Sequence, residues 1–413
     1  MSIDPNTAAA RVTAGVDWAK DDHVVCVTGC EGEVLDRFTV GHNAAGLKRM
    51  AARLLRAGAG QVGIERGDGP VVDTLLQAGL TVFVIPPAQI KHLRSRYGSA
   101  GNKDDRFDAY VLADVVRTDI RRLRSMVSDS EQATALRSSV RARRDLVGHR
   151  VAAANQLRAH LQNVFPGAAA LFADIDSPIT LTFLSRFTSQ EQADWLSPRR
   201  MTAWLASVAY SGGTDPAVLH ARLLAAPRGV TGQHAGVHAA TTLAWVAVLR
   251  TLNAQIQALA ASIGTQLASH PDAAIFTSLP RSGTVRAARL LAEIGDARGR
   301  FPTRDSLTCL AGVAPSTRQS GKVKSVTYRW AADKQLRDAL CDFAGDSRRA
   351  SPWAADLYNK AIARGCDHPH AVRILARAWA HIIWRCWQDK LPYDPAAHNS
   401  LQALLSQHPP LAA

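Results

Sequence analysis

Apolar and polar positions alternate through "TAGVDWA", "HVVCVTG" and "VLDRFTV" in residues 12–40. That period of two, with the turn "CEGE", predicts a meander of three short strands. The period then lengthens. "NAAGLKRMAARLLRAG" sets Leu47, Met50, Leu54 and Leu55 at helical spacing, and "QVGIER" reads as a short strand. "GPVVDTLLQAG" reads as a helix stopping at Gly79, and "TVFVIPP" as a strand closed by prolines. A basic segment, "KHLRSRYGSAGNK", precedes a helix in which Phe107, Val111, Leu112 and Val115 form one apolar face. The predicted order is three strands, helix, strand, helix, strand, helix. It implies an α/β mixed sheet with helices on its faces.

This is also the element order of the ribonuclease-H fold. Beyond it, about Asp129 to Asn163 reads as a long basic helix carrying Arg141, Arg143, Arg144, Arg150 and Arg158. Residues 166–240 read as short helices broken by Pro and Gly. A second long helix follows from about Ala239 to Ser269. The two long helices bracket an insert and are expected to pair as an antiparallel coiled coil with imperfect heptads. After Pro271, "FTSLPRSGTVRAARLLAEIGD" has the turn, helix and stop of a helix-hairpin-helix element, with Gly283 in the turn beside Arg281 and Ser282. "SLTCLAGVAPSTRQSGKVKSVTYRW" predicts helix, loop and strand. Two amphipathic helices follow, and Trp379, Trp384 and Trp387 are assigned to a core or subunit interface.

Composition narrows the partners. The chain has 413 residues, room for two or three domains, and 47% hydrophobic with 20% charged content marks it as globular. Lys and Arg number 49 against 35 Asp and Glu, a net charge of +14 that favours a polyanion. The five arginines of the long helix are expected, as a group, to track a nucleic-acid backbone. No run of about 18 apolar residues and no polybasic anchor stands out, so no membrane association is expected. "MSIDPNTAAARVTAG" lacks the apolar core of a signal peptide. The six cysteines form no CxxC pair, which argues against a zinc site or a disulfide framework. A cytoplasmic, nucleoid-associated protein is expected.

The acids carry the candidate chemistry. Asp17 stands where the first strand ends, and Glu65 where the fourth ends. Asp104 and Asp105 precede Asp108 at spacings of four and three, so either shares a helix face with it. If the first and fourth strands lie side by side and the last helix crosses their ends, four carboxylates converge. They would repel one another unless a divalent cation neutralises them. An all-oxygen set suits Mg²⁺ or Mn²⁺, and two such ions about 3.5–4 Å apart would clamp both oxygens of a phosphoryl transfer.

These segments together resemble the DEDD transposases of the insertion-sequence 110 family, the bridge-RNA-guided recombinases. "GVDWAKDDHVVCV", "VGIERGDG" and "KDDRFDAYVLADVVR" are similar to that family's amino-terminal domain. "LPRSGTVRAARLLAEIGD", "LAGVAPSTRQSGK" and "DKQLRDAL" are similar to its carboxyl-terminal domain. The resemblance implies a RuvC-like nuclease domain over residues 10–125, a helical coiled-coil region with insert over 126–270, a mostly helical transposase domain over 271–395 and a tail over 396–413. It implies Asp17, Glu65, Asp105 and Asp108 as metal ligands. Asp105 is preferred to Asp104 because Lys103, Asp105 and Asp108 fit the family pattern of Lys, one residue, Asp, two residues, Asp.

The resemblance further implies that Ser320, in "TRQSGK", attacks a DNA phosphodiester, with Arg318, Lys322 and Lys324 flanking it. It implies donor and target DNA and a guide RNA as partners, and a homodimer or homotetramer. From the residues alone, Ser320-Gly321 reads as a simple turn, and the resemblance reverses that reading. Three departures from the family are visible: Arg281 and Ser282 in a turn usually richer in Gly, Ala332 where a Gly is common, and a longer insert at about 166–240. The competing expectations are a junction nuclease with no covalent step and a non-catalytic nucleic-acid-binding protein.

Overall fold

The computed structural model describes residues 12–97, 104–232, 235–321 and 323–407. The chain divides after Ser128 into two compact units.

The first unit runs β1 (Thr13–Trp18), β2 (Asp22–Thr28), β3 (Val34–Gly41), α1 (Ala44–Arg56), β4 (Gln61–Ile64), α2 (Pro70–Gln77), β5 (Thr81–Val84), α3 (Pro87–Arg94) and α4 (Asp105–Asp119). Its strands lie in the order β3-β2-β1-β4-β5. β2 is antiparallel to both neighbours, while β1, β4 and β5 are parallel. This mixed order is the ribonuclease-H-like arrangement that the element order implied. Ala14 and Val16 of β1 face the core shared with Leu47, Met50 and Leu54 of α1 and Val71, Val72 and Leu75 of α2. Leu55, expected on that face, is instead exposed.

The other sheet face packs α4. Gly15 stands opposite Gly63 in the β1–β4 register. A Cβ on Gly15 would lie 2.0 Å from the Ala109 carbonyl oxygen, and one on Gly63 would lie 2.7 Å from that of Leu112. Two facing glycines therefore let the α4 backbone sit directly on the sheet. Thr13 Oγ1 donates to the Ala113 carbonyl at 3.0 Å from the same face. α3 was not expected. It buries only Ile90, so its sequence has almost no amphipathic period and reads as a basic segment.

The second unit opens with α5 (Glu131–Val164), capped by Ser130 Oγ accepting from the Ala133 amide. The insert folds as α6 (Pro166–Ala169), α7 (Pro178–Arg186), α8 (Gln190–Ala193), α9 (Pro198–Ser207) and α10 (Pro216–Ala225). Then come α11 (Ala235–Ala268), α12 (Ala273–Thr277), α13 (Gly283–Ile294), α14 (Arg304–Leu310), the hairpin β6 (Ser316–Ser320) and β7 (Val323–Thr327), α15 (Lys334–Ser347), α16 (Pro352–Ala363), α17 (His368–Asp389) and α18 (Asn399–Gln407). Ser139 meets Gln266 near one end of α5 and His160 meets Thr242 near the other, so α5 and α11 run antiparallel. The insert has its own core around Phe165, Phe183 and Phe187. At the far end, Leu136, Val140, Ile263 and Leu267 of the two long helices join the core of α13, α15 and α17.

Trp379 and Trp387 are fully buried there, and Trp384 donates its indole N–H to the Phe301 carbonyl at 2.8 Å. The expected tail is partly structured, because α18 buries Leu401. By length and composition α11 is long and apolar enough to cross a membrane, although no such run was expected. Its alanines raise hydropathy without adding bulk, and it packs along α5.

Candidate functional site

The two strands that share the glycine pair also carry the acids. In each, the acid follows the glycine by two residues: Gly15-Val16-Asp17 and Gly63-Ile64-Glu65. Side chains two apart on a strand share a face, so Asp17 is presented toward α4. Glu65 follows the last residue of β4. α4 supplies Asp108 from its first turn. Asp17, Glu65 and Asp108 each offer an oxygen within 4.8 Å of the other two. The residues after the two strand acids tie the strand ends together, since the Arg66 guanidinium lies 4.4 Å from the Trp18 ring centroid.

The electrostatics follow from this crowding. Partial burial, then the charges of Glu65, Asp108 and Asp105, push the Asp17 carboxyl up to about 7, opposed by Arg94. Asp108 is nearly buried and accepts a two-pronged contact from Arg94, with Nε and Nη2 each 2.5 Å from a carboxylate oxygen. Arg94 is the residue that sequence reasoning missed. A single arginine in a short helix carries no pattern, and its role exists only because α3 packs beside α4. Asp104 is the N-cap of α4, accepting from the Arg106 amide at 2.9 Å. Asp105 is exposed at the helix start and acts on Asp17 through space, outside the three-acid group. Capping and clustering thus fall on different aspartates, Asp104 and Asp108. Three clustered carboxylates, with one held strongly protonation-prone, fit a hard divalent cation.

Ser320 lies in the second unit. It is the last paired residue of β6, opposite Val323, exposed and followed by Gly321 at φ +56°. Arg318 and Lys324 are exposed on the same hairpin, and Lys322 lies outside the described residues. The arginine stripe is not uniform. Arg141 pairs with buried Glu293 at 2.7 Å, Arg144 with Asp338 at 2.8 Å, and Arg281 with Asp346 at 3.0 Å. Arg150 sits 3.3 Å from Asp176 without hydrogen-bond geometry. These four charges are engaged by carboxylates within the unit, which differs from a continuous phosphate-tracking face. Arg143 is half-buried with an unpartnered Nε, and Arg158 is exposed.

The turn before α13 holds Arg281 at φ +57° and Gly283 at φ +55°. Ala332, a departure noted above, has a neighbour that accommodates it: a Cβ on Gly312 would lie 2.5 Å from the Ala332 Cβ.

Comparison with known proteins covers both units. Residues 14–166 match the model of the DEDD transposase family named for IS110, and residues 273–359 match that of the IS116/IS110/IS902 transposase family. The chain is 31% identical over 400 residues to a Streptomyces coelicolor mini-circle protein named as a candidate transposase for IS117, covering 93% of this chain and 95% of the relative. It is 28% identical to the 42 kDa protein of insertion element IS900 from Mycobacterium paratuberculosis, over 94% and 98% of the two chains. It is 26% identical to the 43.6 kDa protein of IS110 from Streptomyces coelicolor, over 77% and 78%.

Proposed function

The chain belongs to the IS110 family of transposases, enzymes that act on DNA, and we propose that it cuts and rejoins DNA strands through a metal-bound acidic cluster and a serine nucleophile. The observation that carries the reading is the convergence of Asp17, Glu65 and Asp108, from three separate elements, within 4.8 Å. Asp17, Glu65 and Asp108 would hold Mg²⁺ or Mn²⁺, with Asp105 at the rim. When bound, such cations supply positive charge for the attacking and leaving oxygens of phosphoryl transfer. Arg94 holds the Asp108 carboxylate oriented and charge-balanced.

In this mechanism the Ser320 hydroxyl attacks a DNA phosphorus. The serine oxygen–phosphorus bond forms, the bond to one sugar oxygen breaks, and the hydroxyl proton passes by way of solvent to that departing oxygen. The phosphoserine is then attacked by the hydroxyl of the incoming strand, which restores Ser320. Arg158, Arg318 and Lys324 are the exposed cations proposed to meet the nucleic-acid backbone. Arg143 is proposed to join them, and the left-handed turn at Arg281 and Gly283 supports the helix-hairpin-helix reading. The antiparallel α5–α11 pair supports the coiled-coil reading. A guide RNA rests on family resemblance and the +14 charge, and a dimer or tetramer on the need to join two duplexes.

The test is strand transfer on supercoiled donor DNA with cognate target. Asp17→Asn is expected to lower transfer by at least ~10³-fold while DNA binding stays within about twofold. Unchanged transfer ends the metal-cluster reading. A hydrolytic junction nuclease is the second reading, favoured by Ser320 being exposed with no side-chain hydrogen bond among the described residues. If Ser320→Ala cleaves as well as the parent, that reading replaces the covalent one.

A further inference from the structure

A cavity of about 440 Å³ opens at the base of the β6–β7 hairpin, between its exit strand and α17. Its wall carries Arg329, Arg373, Arg377 and His370, and no carboxylate lines it. His370, Arg373 and Arg377 are three and four residues apart on α17, so they rise from one helix face. The contrast within the same unit is sharp. Arg281, Arg286 and Arg289 are each paired with an aspartate of α15, whereas Arg329, Arg373 and Arg377 have no carboxylate partner among the described residues.

The cavity is also shaped from within. Tyr328 lies between Arg337 and Arg373, whose guanidinium carbons are 4.6 and 4.8 Å from its ring centroid. Arg337 Nη2 donates to the Arg329 carbonyl at 2.9 Å and ties down the segment that follows β7. The Arg329 Nε is buried with no acceptor among the described residues. A buried cationic donor without an acceptor calls for one from outside. Beside it, Trp330 is 82% exposed and meets Tyr328 edge-on at 4.9 Å. Its open face is available to a stacking partner.

We infer that this cavity binds the phosphodiester backbone of a single nucleic-acid strand, with the arginines on phosphate and Trp330 stacking an unpaired base. Guanidinium forks match phosphate oxygens. A free tryptophan face suits an unpaired base, because bases in a duplex already stack on one another. The site deepens the DNA-acting reading above but needs neither Ser320 nor the acids, and DNA and RNA offer it the same backbone.

The experiment measures binding of fluorescein-labelled 12-nucleotide DNA, 12-nucleotide RNA and a 12-base-pair duplex by anisotropy across a salt series, in chelator. The proteins compared are the parent, Arg373→Gln/Arg377→Gln, Trp330→Ala, and the charge-matched control Arg199→Gln/Arg364→Gln. The double variant is expected to bind single strands at least ~10-fold more weakly, with a salt slope shallower by about 1.4, while the control keeps the parent slope. Trp330→Ala is expected to weaken binding about tenfold with the slope unchanged. Tighter binding of one strand type identifies it as the occupant.

Equal losses in the double variant and the control overturn the site. So does displacement by polyglutamate as readily as by oligonucleotide. If circular dichroism shows the double variant unfolded, exposed Arg377→Gln alone is measured, with an expected slope change of about 0.7. Because the assay needs no metal, its failure leaves the Asp17→Asn result standing, and failure of that result leaves this site standing.

Discussion

The acid cluster and the serine hairpin are built in opposite ways. The cluster draws Asp17, Glu65 and Asp108 from two strands and a helix, half-buried to buried, and its geometry depends on α4 resting on Gly15 and Gly63. The hairpin is local. Ser320 pairs with Val323 at the end of β6, its strands are exposed almost throughout, and nothing lies within 4 Å of a Cβ placed on Gly321. Crowded charges need a rigid frame, because their mutual repulsion disperses any loose arrangement. The hydroxyl proposed as nucleophile is carried on an exposed hairpin, where few contacts resist movement.

The two glycine types offer the largest way to break that comparison. Gly15→Ala drives a Cβ to within 2.0 Å of backbone on α4, and is expected to cost about 3 kcal/mol or more. Gly321→Ala meets no atom and carries only the strain of φ +56°, about 1 kcal/mol. Denaturant midpoints measure both, and equal losses would show that the cluster's frame is no more demanding than the hairpin.

Arg94 sharpens the comparison next. Arg94→Ala leaves nearly buried Asp108 without its guanidinium, an expected loss of about 2 kcal/mol once partial exposure is allowed for. Mn²⁺ is expected to raise the melting temperature of Arg94→Ala more than that of the parent, since the cation then also supplies the missing positive charge. An equal rise would mean that Arg94 does not balance the cluster.

A third effect is on pH. The Asp17 carboxyl is ordinarily near 3.8 and is raised to about 7 in the fold. Between these values the folded chain keeps a proton that the unfolded chain has released. Stability in chelator should therefore fall as pH rises from about 4 to 7. Melting temperatures at pH 5.5 and 8 test this, with Asp17→Asn expected to flatten the difference. Added divalent cation should restore stability at pH 8, and a parent slope identical to that of Asp17→Asn would remove Asp17 as the cause.

Much of the first unit was legible because its signals are short-range. Strand alternation and helical spacing placed β1 to β5, α1, α2 and α4 in order, and the repeated Gly-x-acid step was in plain view at 15–17 and 63–65. α3 was not legible, because Ile90 is its one buried residue. Among the acids, spacing alone left Asp104 and Asp105 as rivals beside Asp108. The fold assigns Asp104 to the cap and brings Asp108 to the strand acids. The arginines of α5 looked alike in sequence, yet Glu293, Asp338 and Asp176 engage three of them. Those partners lie from 26 to nearly 200 positions away, beyond any periodicity.

By itself, then, the chain's residue pattern determined its elements, its excess of positive charge and the spacing that points acids toward a common face. Those properties follow from backbone geometry and composition, which act over a few residues. Tertiary structure alone decided which carboxylates meet, that Arg94 stands among them, and which arginines remain open to a polyanion. Charge pairing and close packing act through space, and their partners are chosen only when distant segments fold together.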